Sequence, residues 1–143
     1  MLNARHLLER KASGAIHSVG PDDSVLTAIR RMAEHHIGAL LVMEGERLVG
    51  IVSERDYARK VVLQDRSSRD TRVAGIMATP VITVSPTTTL DECMQTVTQR
   101  RIRHLPVVDG ERVVGVLSIG DLVKAVIDEK SAEIEQLQAY ITR

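Results

Sequence analysis

Two carboxylates in this sequence lie three residues after a serine that closes an apolar run. Ser53-x-x-Asp56 follows the run 48–52, and Ser118-x-x-Asp121 follows the run 113–117. An ionised carboxylate only accepts hydrogen bonds, so it suits two adjacent donors such as the 2′ and 3′ hydroxyls of a ribose. A strand running into a helix leaves unpaired backbone N–H groups at the positive end of the helix dipole, where phosphates bind. The same spacing is also a capping box with Asp in place of the usual Glu. The two readings are compatible, because the serine can cap while the carboxylate serves a ligand.

Other reactive side chains carry plainer readings. Arg100, Arg101, Arg103 and His104 form a basic cluster. As a nucleic-acid patch it is short, has no aromatic partners and sits in a neutral protein, so no nucleic-acid partner is expected. Arg100 and Arg101 read as a solvated helix end. His35-His36 are adjacent, so on a helix they point about 100° apart and no further ligand lies at metal spacing. Cys93 takes the register of Ala28 on a buried helix face and reads as an inert core thiol. No catalytic residue and no metal site are expected: the chain has no G-x-G-x-x-G fingerprint, no Walker loop and no nucleophile with an obvious base.

The elements that must position these residues come in two copies. Residues 16–61 align without a gap on 81–126, an offset of 81 − 16 = 65, with 13 identities in 46 positions. They include Pro21/Pro86, Gly45/Gly110, Gly50/Gly115, Ser53/Ser118 and Asp56/Asp121. Each copy reads as β-α-β-β-α. The first has a strand at 16–19, a helix from Val25 capped among Asp22, Asp23 and Ser24, a strand at 39–43, a return strand at 48–52, and a helix from Ser53 to about Leu63. The second has strands at 81–84, 105–108 and 113–117, a helix from Leu90 capped among Thr87, Thr88 and Thr89, and a long last helix to roughly Tyr140. The polar stretch 64–72 reads as a loop and 73–77 as a short apolar turn. A short helix at about 3–11 precedes the first copy and stops near Ser13-Gly14. The expected division is repeat one at 12–65, repeat two at 74–130, an N-terminal helix at 1–11 and a helical tail at 131–143.

A unit of about 50 residues cannot cover both faces of its own sheet. The fold class expected is therefore α/β (α+β), with the two repeats packed sheet to sheet about a pseudo-twofold axis and clefts between them. Composition fits this. The 143 residues carry 19 basic and 19 acidic groups, so no net field draws in nucleic acid or an anionic membrane. No apolar run approaches the roughly 20 residues of a membrane helix, and the first residues lack the apolar stretch of a secretory signal. One cysteine permits no internal disulfide, which fits a reducing cytoplasm. With no Phe or Trp and two Tyr, any base-binding pocket must have aliphatic walls.

These features resemble the tandem cystathionine β-synthase-type (CBS) domain pair, or Bateman module. The resemblance rests on the element order, on Arg103-His104-Leu105-Pro106-Val107-Val108, on the Asp109-Gly110 turn, on Gly-Val-Leu-Ser-x-x-Asp at 115–121, on Gly50-Ile51-Val52-Ser53-x-x-Asp56, and on Met77-Ala78-Thr79-Pro80. It covers about residues 12–130. It implies a stand-alone, non-enzymatic sensor of adenosine-containing ligands: AMP, ADP, ATP, NAD(H) or S-adenosylmethionine. Its occupancy would shift the conformation seen by a regulated partner protein, and the working assembly would be a homodimer. By the same resemblance the second-copy site uses Asp121 for ribose, Arg103 and His104 for phosphate, and Val81, Ile82 and Thr83 around adenine, with Ser118, Ile119 and Pro106 also among its ligand-binding residues. The first-copy site would use Asp56, Ser53, Arg55, Gly38 and Ala39, with Ile16, His17 and Ser18 as the adenine strand. Because Gly38-Ala39 stand where the second copy has Arg103-His104, the two sites are expected to differ in affinity or ligand, with Arg55 a substitute cation. Two other readings compete: a small nucleotide-processing enzyme, and a pure assembly module with vestigial clefts.

Overall fold

The computed structural model describes residues 1–11 and 14–141. It divides into two compact units, one of Ala15–Ile82 with Gly110–Val113, the other of Met1–Gly14, Thr83–Asp109 and Val114–Arg143. The elements, in order, are α1 (Ala4–Glu9), β1 (Ser18–Val19), α2 (Val25–His35), β2 (Ala39–Glu44), β3 (Arg47–Ser53), α3 (Glu54–Lys60), α4 (Leu90–Arg100), β4 (His104–Asp109), β5 (Arg112–Ser118) and α5 (Ile119–Ile141). Single 3₁₀ turns at Val62–Gln64 and Val73–Gly75 follow α3. The mixed α+β class is that expected.

In the first unit the strand order is β1-β2-β3, parallel then antiparallel. Ser24 caps α2 by accepting from Thr27 N–H. The α2 face carrying Val25, Ala28 and Met32 joins Val19, Leu40, Val42, Val52, Val61, Val73 and Ile76 in the core. Burial of one such side chain stabilises by about 1.5–3 kcal/mol. Ala33 of the same helix is exposed although apolar. The 64–72 loop serves α2: Ser68 and Thr71 carbonyls accept from Leu26 and Val25 N–H, at 2.9 and 2.8 Å. Gly50 lies flat beneath Met77, whose sulfur would be 2.5 Å from any added Cβ.

Both repeat helices end alike. His36 and Arg101, 65 residues apart, adopt left-handed φ of 53°. Ile37 N–H then donates to Met32 carbonyl and Ile102 N–H to Val97 carbonyl, the six-to-one bond of a Schellman stop. The turns Gly45 and Gly110, at φ of 64° and 63°, reverse each strand pair without the penalty a Cβ brings there.

The second unit departs from the symmetry. Its sheet has only β4 and β5. The strand expected at 81–84 shrinks to a parallel bridge of Val84 with Val107. The cause is Pro106. In the first copy Leu41 N–H donates to His17 carbonyl; the matching residues are Pro106 and Ile82, and proline has no N–H to give. Val84 keeps its own bonds, donating to Pro106 carbonyl and accepting from Val108 N–H. Likewise Ile16 and His17 lie outside β1.

α1 belongs to the second unit. Asn3 caps it in a box with His6. Ala4 and Arg5 N–H groups donate to the carbonyls of Thr88 and Pro86, and Leu90 N–H donates to Leu2 carbonyl. Ala4 and Leu7 are buried, and Leu8 covers Gly115. The helix stops at Glu9 with Arg10 as its C-cap; the stop expected at Ser13 lies outside the described residues.

Candidate functional site

In each unit one backbone bond draws the strand entry to the following helix start. Ile119 N–H donates to Arg103 carbonyl at 2.8 Å, and Glu54 N–H donates to Gly38 carbonyl at 3.0 Å. Arg103 and His104 are thereby gathered with Ser118, Ile119 and Asp121, and Gly38 and Ala39 with Ser53 and Asp56.

Both Ser-x-x-Asp steps form the reciprocal box. Ser118 N–H donates to Asp121 Oδ2 at 2.8 Å, and Asp121 N–H donates to Ser118 Oγ at 3.2 Å. Ser53 N–H donates to Asp56 Oδ2 at 2.9 Å, and Asp56 N–H donates to Ser53 Oγ at 3.2 Å. Ser53 Oγ also lies 3.0 Å from Asp56 Oδ2.

Each carboxylate also holds a lysine. Lys11 Nζ lies 3.1 Å from Asp121 Oδ2 and donates to Val116 carbonyl at 2.7 Å. Lys60 Nζ lies 3.4 Å from Asp56 Oδ1 and donates to Ile76 carbonyl at 2.9 Å. The two lysines are not repeat mates, since Ala125 takes the register of Lys60. The chain supplies the same charge from two different places.

The second-unit site is electrostatically coupled. Burial, the largest influence on Asp121, pushes its carboxyl up, but the Ser118 backbone N–H and the Lys11 ammonium together outweigh it and hold it low. His104 is held below the ordinary imidazole value, first by burial, then by the charges of Lys11 and Arg103, with Asp121 opposing them. The site thus presents one fixed anion and a neutral imidazole among cations. Such a set can accept from a sugar diol and attract phosphate.

The remaining expected residues fall as follows. Pro106 is buried in β4 and Thr83 is exposed in the second unit; Val81 and Ile82 are half-buried and belong to the first. Ser18 is in β1, while Ile16 is exposed. His17 stacks on His35, ring centroids 3.8 Å apart, and its pKa is lowered by burial and then by His35. Arg55 is exposed, and the cation paired with Asp56 is Lys60. The sequence reading missed both lysines. Lys60 stands four residues after Asp56, a spacing that pairs charges on one helix face, and was legible. Lys11 gave no local signal. Cys93 is buried, its thiol pushed up to about 11 by burial and then by Glu92. Among the described residues no three His, Cys, Asp or Glu side chains group as a metal site requires, and no helix is long and apolar enough to cross a membrane.

The CBS domain family matches residues 12–63 and 73–128. The CBS domain-containing protein CBSX3, mitochondrial, of Arabidopsis thaliana is 45% identical over 125 residues, which are 84% of this chain and 61% of that protein. The chain therefore spans about three-fifths of that relative's length. A solved protein with CBS domains from Burkholderia ambifaria MC40-6 is 52% identical, with a TM-score of 0.85, covering 88% of this chain and 94% of its own. The CBS domain pair of protein MJ0100, solved with 5′-methylthioadenosine and S-adenosyl-L-methionine, shares the fold at 24% identity and a TM-score of 0.80, covering 90% and 98%.

Proposed function

Because this chain belongs to the CBS domain family and carries the domain twice, we propose that it is a regulatory module that binds an adenine nucleotide (AMP, ADP, ATP or NAD(H)) and passes its occupancy to a partner protein. The observation that carries the reading is the Asp121 group. A carboxylate is kept ionised at a strand–helix junction by Ser118 N–H, while Lys11, Arg103 and His104 share its field. Asp121 accepts from the ribose diol, and Arg103 and Lys11 attract phosphate. Thr83 and Pro106 contribute to the wall for the base. In the first unit Asp56 and Ser53 take the ribose role, with Lys60 rather than Arg55 as the nearest cation. That unit has Gly38-Ala39 in place of Arg103-His104, so it favours ligands of lower charge. The fold is one that accommodates two adenosine-containing ligands in the MJ0100 pair, and the Arabidopsis relative is named for its domain rather than for a reaction. The signal passes by differential affinity of the ligand for two conformations.

Calorimetry with AMP, ADP, ATP, NADH and S-adenosylmethionine tests the reading. At least one is expected to bind below millimolar concentration. Asp121→Ala is expected to weaken it by about 10-fold or more, the loss of a charge-assisted hydrogen bond worth about 1.5–3 kcal/mol. Silence from every ligand at millimolar concentration refutes the proposal.

A further inference from the structure

α5 is longer than the repeat requires, and from Ile127 to Ile141 every residue is exposed. An isolated helix of about 12–15 residues is marginal in water, and no side chain of this segment is buried. It does not lack a face. Exposed apolar side chains stand at Val123, Ile127, Ile134, Leu137 and Ile141, from 43% exposed at the first to 78% at the last. With Lys130 they are spaced 4, 3, 4, 3 and 4 residues apart. That is the heptad seam of a coiled coil, with isoleucine at all three a positions and Lys130 at one d position. The stripe is distinct from the one bearing Leu122 and Ala125, which the fold already buries. At 1.5 Å per residue the seam runs about 27 Å.

We propose that this seam docks on the same seam of a second copy of the chain, in antiparallel orientation. Charge decides both the occupant and the direction. Lys130 in the seam and Glu133 on its flank pair within one helix at 3.5 Å. In an antiparallel pair Lys130 packs beside Ile134 of the second copy, and the flanking Glu133 of that copy faces it. Two lysines and two glutamates then alternate around the two-fold axis. In a parallel pair Lys130 would meet Lys130, like charges directly opposed within the seam. The antiparallel layers also match in kind: Val123 opposite Ile141, and Ile127 opposite Leu137. Such a self-complementary patch closes as a two-fold dimer and does not propagate. The inference is independent of the ligand reading.

Mild oxidation of the full chain tests it. Two single variants, Ile127→Cys and Leu137→Cys, are mixed at low micromolar concentration. The expected product is the mixed 127–137 disulfide, with little self-linked 127–127 or 137–137. Adding Ile134→Asp to both is expected to cut the yield at least 10-fold while the thermal midpoint of the folded units stays in place. Buried Cys93 in the unsubstituted chain serves as the background. A yield that survives Ile134→Asp, an absent mixed disulfide, or a dominant 127–127 product overturns the proposal.

Discussion

Replacing Lys11 by methionine separates the two things its ammonium does. The apolar stem keeps its length, and the charge and its two bonds go. Those bonds are 3.1 Å to Asp121 Oδ2 and 2.7 Å to Val116 carbonyl. A hydrogen bond to a charged group contributes about 1.5–3 kcal/mol. Lys11 and Asp121 side chains are 28% and 27% exposed, so solvent screening brings the expected loss to about 1–2 kcal/mol. Asp121 retains the Ser118 N–H, which keeps the loss below that of an orphaned charge. In a chain of this size the thermal midpoint should fall by roughly 3–6 °C. The ligand effect has the opposite sign for a neutral ligand. On the ribose role proposed for Asp121, the ammonium competes with a ribose hydroxyl for Oδ2, so Lys11→Met should bind adenosine about 5–30-fold more tightly, the same ~1–2 kcal/mol returned. ADP loses a cation for its phosphates and gains less. The ratio of ADP to adenosine affinity should therefore narrow by about tenfold, read by calorimetry on both proteins. Lys11→Arg should restore the wild-type ratio. An unchanged midpoint, or adenosine bound more weakly by Lys11→Met, refutes the argument.

Stability should also follow pH with a defined sign. Asp121 is held below its ordinary 3.8, so its contribution is complete above that value and is lost as pH falls through the lower folded value. His104 is held below 6.5, so below that pH the unfolded chain takes up a proton that the folded chain resists. The ligand-free protein should therefore be less stable to urea at pH 5.5 than at 7.5, and His104→Gln should reduce that difference, leaving the part that the similarly lowered His17 contributes. Gly115→Ala would place a Cβ 2.6 Å from Leu8 Cδ2. It should cost about 1–3 kcal/mol by overpacking and, by lifting α1, raise amide exchange at Ala4 and Arg5, whose N–H groups bond to Thr88 and Pro86. Equal exchange in variant and wild type would show that α1 does not depend on that glycine.

Local rules make much of this molecule legible in its sequence. The repeat, the serine and threonine caps, the glycine turns and the aliphatic core depend on contacts within a few residues or on a period set by the backbone. Even the lost strand was written in the chain, because Pro106 removes a single N–H that Leu41 supplies in the first copy; the β pattern of 81–84 masked it. Lys60 was also within local reach, one helical turn after Asp56. The placement of α1 was not. The sequence indicated a short helix there, but the burial of Ala4 and Leu7 beside Thr88 and Leu90 depends on packing more than 80 residues away in sequence. Lys11 travels with α1, so the counter-charge of Asp121 is set by that packing and by no motif. The sequence by itself determined that a serine and a carboxylate recur three residues apart at both strand–helix steps, since that is a property of the residues and of their step along the backbone. Only tertiary structure decided which cation each carboxylate holds, because a Coulomb interaction depends on distance in space and is blind to separation along the chain.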